Sequence, residues 1–317
     1  MDISVIGCGR WGAFLAWYLD RLSYRVTLYG RSDSKRFQAF LSERTNGLTT
    51  LSQRVRLTSD LNEALAAEIV LISVNAQGLR ALMGEIAAQT PKEKLYVLCM
   101  KGLETGSGKR LSEIVLESSP KGTRAAVWLG PGHVQEFTSG VPNCMVIDSA
   151  DENAKSMLVD AFSSDLIRFY YGRDLIGNEV GAAAKNVIGI AAGILDALSL
   201  SSLKGALCSR GTREVARLIE AMGGDPFSAY GLCHLGDYAA TVFSPLSHNR
   251  RFGEAFVKAE AYGELAEGAD TAKALRLLSR KHRVELPICD AVYDTLFEGV
   301  EARHAVERLF GRRQKTE

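Results

Sequence analysis

The sequence predicts an α/β chain in two parts: a Rossmann-type, doubly wound parallel sheet over residues 1–172, then an all-helical domain over residues 173–317. Three observations carry that prediction. Short apolar runs alternate with helical patterns through residue 171. A glycine-spaced turn, Gly7-Cys8-Gly9-Arg10-Trp11-Gly12, directly follows the first of those runs. Beyond Asp174 the strand-like runs stop and only helical periodicity continues.

Composition narrows the class. A chain of 317 residues is too long for one simple core and suits two domains. With 46% hydrophobic and 24% charged residues it reads as an ordinary globular protein. A formal net charge of +1 leaves no footprint for nucleic acid or an anionic membrane surface. The six cysteines are scattered, without a CxxC pair or Cys/His ligand spacing, so neither a disulfide framework nor a metal site is expected. The chain enters a strand-like run at once, with no leader pattern. Residues 180–195 are too few, and carry a lysine too centrally, to span a bilayer. A cytoplasmic location without membrane insertion is the expectation.

The first elements set the chemistry. Residues 3–6 form an apolar strand, 13–22 a helical pattern, and 25–29 a second strand. A GxGxxG turn in that frame is the dinucleotide-binding arrangement. Gly7 permits the tight turn, Gly9 lets a pyrophosphate approach the backbone, and Gly12 lets the helix pack on the strand. Arg10 and Trp11 lie in the same turn, where free N–H groups at the helix start meet phosphate charge. The second strand ends in Tyr29-Gly30-Arg31-Ser32, with Lys35 and Arg36 beyond and no acid at the ribose-binding position. Arg31 and this basic set favour the 2′-phosphate of NADP over NAD. Alternatively, Lys35 and Arg36 lie on a solvated helix face.

Further strands are expected at residues 68–74, 95–100, 125–129, 144–147 and 167–171, with helices at 79–88 and 111–116 between them. Lys101 directly ends a buried-looking strand, where open α/β sheets place ligand groups. Past residue 172 comes VGAAAKNVIGIAAGIL, residues 180–195, apolar or small except for Lys185 and Asn186. Polar side chains in such a helix are costly unless something meets them. Gly181, Lys185 and Gly189 share one face, with Asn178 a turn further back. Either a flat molecule lies against that face, or the glycines serve close helix packing and the lysine has a carboxylate partner. Helices are also expected at 213–222, 252–261 and 271–281. Val215, Leu218 and Ile219 form a stripe that packs on the domain itself or on a second copy, making a homodimer possible.

In these motifs the chain resembles the bacterial-type NAD(P)-dependent glycerol-3-phosphate dehydrogenases. The pieces that carry the resemblance, in order, are GCGRWG at 7–12, KGLE at 101–104, GPGHVQEF at 130–137 and GNEVGAAAKNVIGIAAGI at 177–194. They continue with EVARLIEAMGGDP at 214–226, GLCHLGDY at 231–238, SHNRRFGEAF at 247–256, AEGADTAKA at 266–274 and ELPI at 285–288. The resemblance implies reduction of dihydroxyacetone phosphate by NAD(P)H to sn-glycerol 3-phosphate, the phospholipid backbone precursor. It implies Lys185 as catalytic acid and base, Asp237 beside it, and Lys101 both lowering its pKa and binding substrate. Asn186, Ser247, His248 and Asn249 are implied as substrate contacts. Gly130 and Gly132 belong to a loop touching substrate, and Val134, His248, Lys101 and Glu267 to the cofactor contacts. Asp237 could instead cap a helix, Asn249 could hold a turn, and Glu267 could be a surface acid.

Three positions depart from the family pattern. His248 stands where an arginine is usual and cannot offer its bidentate fork. Gly132 replaces a serine, and His234 stands where a glycine is common. Alternative readings follow from these: a reductase of another small 2-oxo or hydroxy compound, or a dinucleotide-binding sensor without turnover. His133, His234, His282 and His304 show no partner spacing and read as structural or surface residues.

Overall fold

A computed structural model describes residues 1–89 and 92–313. The chain forms two compact units, residues 1–100 with 111–175, and residues 101–110 with 176–317. A single boundary at 172 does not capture the excursion at 101–110. That segment is tied to the helical unit by packing and charge. Leu103 is fully buried in the helical unit's core, and Arg110 Nη1 lies 2.9 Å from Glu179 Oε2.

The first unit is built on one eight-stranded sheet. In chain order the strands are β1 (Asp2–Ile6), β2 (Arg25–Tyr29), β3 (Arg56–Thr58), β4 (Ile69–Ile72), β5 (Leu95–Leu98), β6 (Arg124–Leu129), β7 (Asn143–Ser149) and β8 (Ile167–Tyr171). Their spatial order is β3-β2-β1-β4-β5-β6-β7-β8, so the order reverses between β1 and β4. Ile3 pairs with Val26 on one side and Ile69 on the other. All four residues of β4 and of β5 are buried, as expected of central strands covered on both faces.

The sheet is not wholly parallel. β7 runs antiparallel to β6, and β8 then returns parallel to β7. The reason lies in the connection after β6, which holds only the five-residue helix Val134–Thr138. One turn and a half of helix does not span the length of a strand, so the chain comes back antiparallel. β3 is also absent from the sequence reading, because Arg-Leu-Thr is too short to show alternation.

The helices of this unit are α1 (Arg10–Arg21), α2 (Lys35–Glu43), α3 (Leu61–Ala64), α4 (Leu79–Ala88), α5 (Leu111–Glu117), α6 (Val134–Thr138) and α7 (Glu152–Phe162). An aromatic cluster under α1 closes the core. Tyr18, Trp128 and Phe162 are almost fully buried, and the Tyr18 hydroxyl donates to Phe162 O at 2.5 Å.

The second unit surrounds α8 (Leu175–Ala197) with α9 (Lys204–Ala221), α10 (His248–Val257), α11 (Glu267–His282), α12 (Pro287–Phe297) and α13 (Ala302–Phe310). Every residue of α8 from Gly177 to Leu195 is buried. Its glycines are used for close packing. A Cβ at Gly193 would fall 1.9 Å from Arg250 O, and one at Gly189 would fall 2.8 Å from Thr241 Cγ2. At Gly181 the neighbour is the His234 side chain, 3.0 Å from where a Cβ would stand. The glycine face beside Lys185 is therefore occupied by the unit's own side chains. It is not an open bed for a flat ligand.

At 23 residues α8 is long and apolar enough to cross a bilayer, so length does not exclude that role as expected. Its burial among the other helices is the relevant observation: 89% of its most apolar stretch lies inside the unit. Val215, Leu218 and Ile219 are completely buried in the same core. That stripe packs on its own unit and offers no face to a second copy.

Candidate active site

The glycine turn after β1 has the geometry its residue types demand. Gly7 adopts φ +112°, and a Cβ there would collide with Ser73 O at 2.2 Å. A Cβ on Gly12 would fall 1.8 Å from Gly7 O, so only glycine lets α1 start this close to the strand. Gly9 differs, because the space at its Cβ position is open except for the Arg36 guanidinium, 3.9 Å away. Gly9 also begins α1 with no side-chain cap, and the first turn carries no acid. The start of α1, without a side-chain cap, and the positive end of the helix dipole thus lie at the point where the strand order reverses.

The residues around this turn divide by role. Trp11 stacks toward the core, with ring centroids 5.0 Å from Phe14 and 6.2 Å from Phe137. Arg10 lies exposed in the first turn of α1. Arg31 is solvent-exposed, with its Nε 3.8 Å from Asp33 Oδ1. Lys35 and Arg36 open α2 and are both exposed, and the Arg36 side chain reaches the glycine turn. Gly132 has φ +138°, and a Cβ there would fall 2.3 Å from the Phe137 ring. A side chain at that position would clash with the ring unless it moved. Gly130 precedes it at the end of β6, and Val134 begins α6 with its side chain buried.

The second constellation lies wholly within the helical unit. Lys185 on α8 is 7% exposed, and Asp237 is 1% exposed. Asp237 Oδ2 accepts from Lys185 Nζ at 2.8 Å and from Lys101 Nζ at 2.7 Å. Lys185 Nζ also donates to Thr241 Oγ1 at 2.7 Å. Two cations thus share one carboxylate, leaving the group with a net positive charge. Burial dominates the titration of Lys185, lowering its pKa to about 8; Asp237 opposes the shift and Lys101 adds to it. An amine with that pKa exchanges protons near neutral pH, and a solvated lysine does not.

His234 holds this group from behind. It is fully buried, and its Nδ1–H donates to Gly181 O at 2.8 Å. A carbonyl only accepts, so the other ring nitrogen, Nε2, accepts from the Tyr238 hydroxyl at 2.7 Å. Burial lowers the imidazole pKa to about 4, with the nearby Lys185 charge acting in the same direction. The ring stays neutral and ties the residue after Asp237 to the turn of α8 that precedes Lys185.

The remaining expected contacts have mixed fates. Asn186 is buried beside Lys185. Ser247 caps α10, its Oγ accepting from Arg250 N at 3.3 Å. Asn249 Oδ1 accepts from Gly268 N at 2.9 Å, joining the starts of α10 and α11. Glu267 is the first residue of α11. His248 Nδ1 faces the Tyr262 hydroxyl at 2.9 Å and Arg251 Nη2 at 3.2 Å. Arg250 is engaged elsewhere, with its Nε 2.6 Å from Asp196 Oδ2. Thr241 is the contact that sequence reasoning missed, since a lone threonine in a mixed stretch carries no periodic signal.

Comparison with known proteins now bears on these two constellations. Residues 2–155 match the family described as NAD-dependent glycerol-3-phosphate dehydrogenase N-terminus, and residues 174–307 match its C-terminus counterpart. The glycerol-3-phosphate dehydrogenase (NAD(P)+) of Thermoanaerobacter sp. (strain X514) is 35% identical, covering 100% of this chain and 99% of that protein. The chain belongs to the NAD(P)-dependent glycerol-3-phosphate dehydrogenase family. The Aromatoleum aromaticum dehydrogenase of the same name is 36% identical over the full length of both chains. The crystal structure of the Coxiella burnetii glycerol-3-phosphate dehydrogenase superposes with a TM-score of 0.90 at 27% identity, covering 98% of this chain and 99% of that one. The contacts above give His248, Gly132 and His234 each a local physical setting in this chain.

Proposed function

We propose that this chain interconverts dihydroxyacetone phosphate and sn-glycerol 3-phosphate with NAD(P)H and NAD(P)+, acting in the cytoplasm to supply glycerol phosphate for phospholipids. The observation that carries the reading is the buried Lys185, held by Asp237 and Thr241 at a pKa of about 8. In the reductive direction its ammonium passes a proton to the substrate's carbonyl oxygen; in the oxidative direction its free amine takes the hydroxyl proton. Asp237 keeps the ammonium aimed, and Lys101 supplies a second cation beside the developing alkoxide.

The nicotinamide supplies and receives the hydride. Gly7, Gly9 and Gly12, with the uncapped start of α1, suit its pyrophosphate. Arg10, Val134 and Glu267 are further cofactor contacts in this reading, with Trp11 supporting the turn from the core. Arg36 beside Gly9, with Arg31 at the end of β2, supports NADP as the preferred form. On the substrate side, His248 is the proposed phosphate contact, its Nδ1 facing Tyr262 and Arg251. Asn186, Ser247, Asn249, Gly130 and Gly132 complete the proposed substrate set.

The test is cofactor oxidation followed by absorbance, with dihydroxyacetone phosphate beside unphosphorylated dihydroxyacetone. A charge-assisted phosphate contact is worth about 1.5–3 kcal/mol, or about one to two decades in kcat/KM. The expected outcome is a preference of at least that size for the phosphorylated ketone, with NADPH favoured over NADH. Equal rates with both ketones would remove the phosphate from the assignment and direct attention to another small 2-oxo compound.

A further inference from the structure

Away from the lysine cluster, the helical unit contains a cavity of about 400 Å³ bounded by α8, α9, α12 and α13. Its walls include Ile194, Leu207, Val292 and Val306, with small residues at Ala191 and Ala302. The volume lies within the range of small-molecule sites. Four arginines, Arg210, Arg217, Arg312 and Arg313, line the same cavity. Among the described residues, the one acid lining it is Glu214, whose carboxylate accepts from Ile288 N and Cys289 N, both at 2.9 Å, at the start of α12. Phe310, 70% exposed, adds an apolar edge next to Arg312 and Arg313.

We propose that this cavity is a second binding site, for a single alkyl chain that ends in an anion, either a carboxylate or a phosphomonoester. The chain lies among Ile194, Leu207, Val292 and Val306, and the anionic head meets the arginines. Apolar walls without a cation would accept a neutral hydrocarbon equally well. Arg312 Nη2 lies 2.7 Å from Glu285 Oε2 and Arg217 Nη2 donates to Glu285 O at 3.0 Å, so an anionic head joins guanidinium groups already held in place, and the surplus of cations over acids around the cavity favours the charged end. Three wall residues, Ala191, Ile194 and Leu195, belong to the helix that carries Lys185, so an occupant touches the same helix two to three turns further on. This site is independent of the dehydrogenase reading and does not rely on it.

The experiment is isothermal titration of the full-length protein with decyl phosphate and, separately, decanoate. Decyltrimethylammonium is the control for charge, and all three are used below their micelle-forming concentrations. The expected result is saturable binding of one anionic amphiphile per chain and none of the cation. Reversing the mouth charges in the Arg312→Glu, Arg313→Glu double variant should weaken binding by about tenfold or more. Filling the cavity with Ala302→Phe should abolish it. Ala302 is buried, so circular dichroism accompanies that variant, and the exposed double variant tests the site without disturbing the core. Decyl phosphate binding over decanoate would identify the phosphomonoester as the head group, and the converse the carboxylate. Binding of all three amphiphiles alike, no saturable binding, or affinity unchanged in the charge-reversed variant would each overturn the proposal. So would a wild-type dimer that binds no amphiphile and is dissociated by the charge reversal, which would assign the surface to a second copy.

Discussion

Lys185 titrates where it does because three influences meet at one nitrogen. Burial destabilises the ammonium, Asp237 at 2.8 Å stabilises it, and the Lys101 charge on the same carboxylate disfavours it again. Asp237→Asn removes the stabilising charge, so the Lys185 pKa should fall and the reductive limb of the pH profile should move to lower pH. Lys101→Ala removes the opposing cation and should move the limb the other way. The pH dependence of kcat/KM for both variants reads these shifts, and displacement of both limbs in the same direction would contradict the arrangement. The same group affects stability. Its folded pKa of about 8 lies below the ordinary value of 10.5, so the unfolded chain binds more protons between those limits and stability rises with pH across that window. His234 acts at the same scale through its fixed tautomer. His234→Leu removes the ring acceptor of the Tyr238 hydroxyl, which keeps only its Thr212 contact, and leaves the second acceptor site of Gly181 O unmet. It should cost about 1–3 kcal/mol of stability, read by urea denaturation. His234→Gln, which offers both a donor and an acceptor, should recover most of that loss.

At the scale of elements, the glycine turn and α1 make a prediction that separates folding from binding. Gly12→Ala places a methyl group 1.8 Å from Gly7 O and should destabilise the first unit outright, whereas Gly9→Ala meets nothing closer than Arg36. Gly9→Ala should therefore fold normally and bind NADPH at least about tenfold more weakly, measured by fluorescence titration, because the methyl fills the space left for the pyrophosphate. These elements also show what the sequence made legible. β2, β8 and α4 lie where the sequence reading put them, because apolar periodicity and flanking glycines mark their ends. β3 was silent, as three residues carry no period. The reversal at β7 was silent for another reason: strand direction depends on whether the connection is long enough to cross the sheet, and α6 is too short. In the site, Lys185 and Lys101 stand out by position, Asp237 enters only through the family resemblance, and the fold brings all three together. Thr241 and the His234–Tyr238 link are not legible, since their roles exist only once the short 3-10 and π-helical turns between α9 and α10 fold back onto α8.

At the scale of the whole molecule, two cores are built from a chain that enters the helical unit twice. Leu103 lies in sequence between β5 and β6 of the first unit, yet it is fully buried in the core of the second. Leu103→Ala should cost about 2–5 kcal/mol. In scanning calorimetry the loss should fall on the transition of the helical unit, with that of the sheet unit little changed; the reverse would contradict the division of the chain. The family to which the chain belongs and the lysine cluster it carries converge on one chemical claim, that Lys185 exchanges the substrate's proton. The most direct test is kcat/KM for dihydroxyacetone phosphate reduction by NADPH, measured from about pH 6 to about pH 10 in the wild type and in Lys185→Ala. The account predicts a wild-type profile that is level at low pH and falls about tenfold per unit above a pKa near 8. It predicts for Lys185→Ala a loss of about two to four decades with that bend abolished. A variant that keeps most of its activity, or keeps the same bend, would show that another group carries the proton.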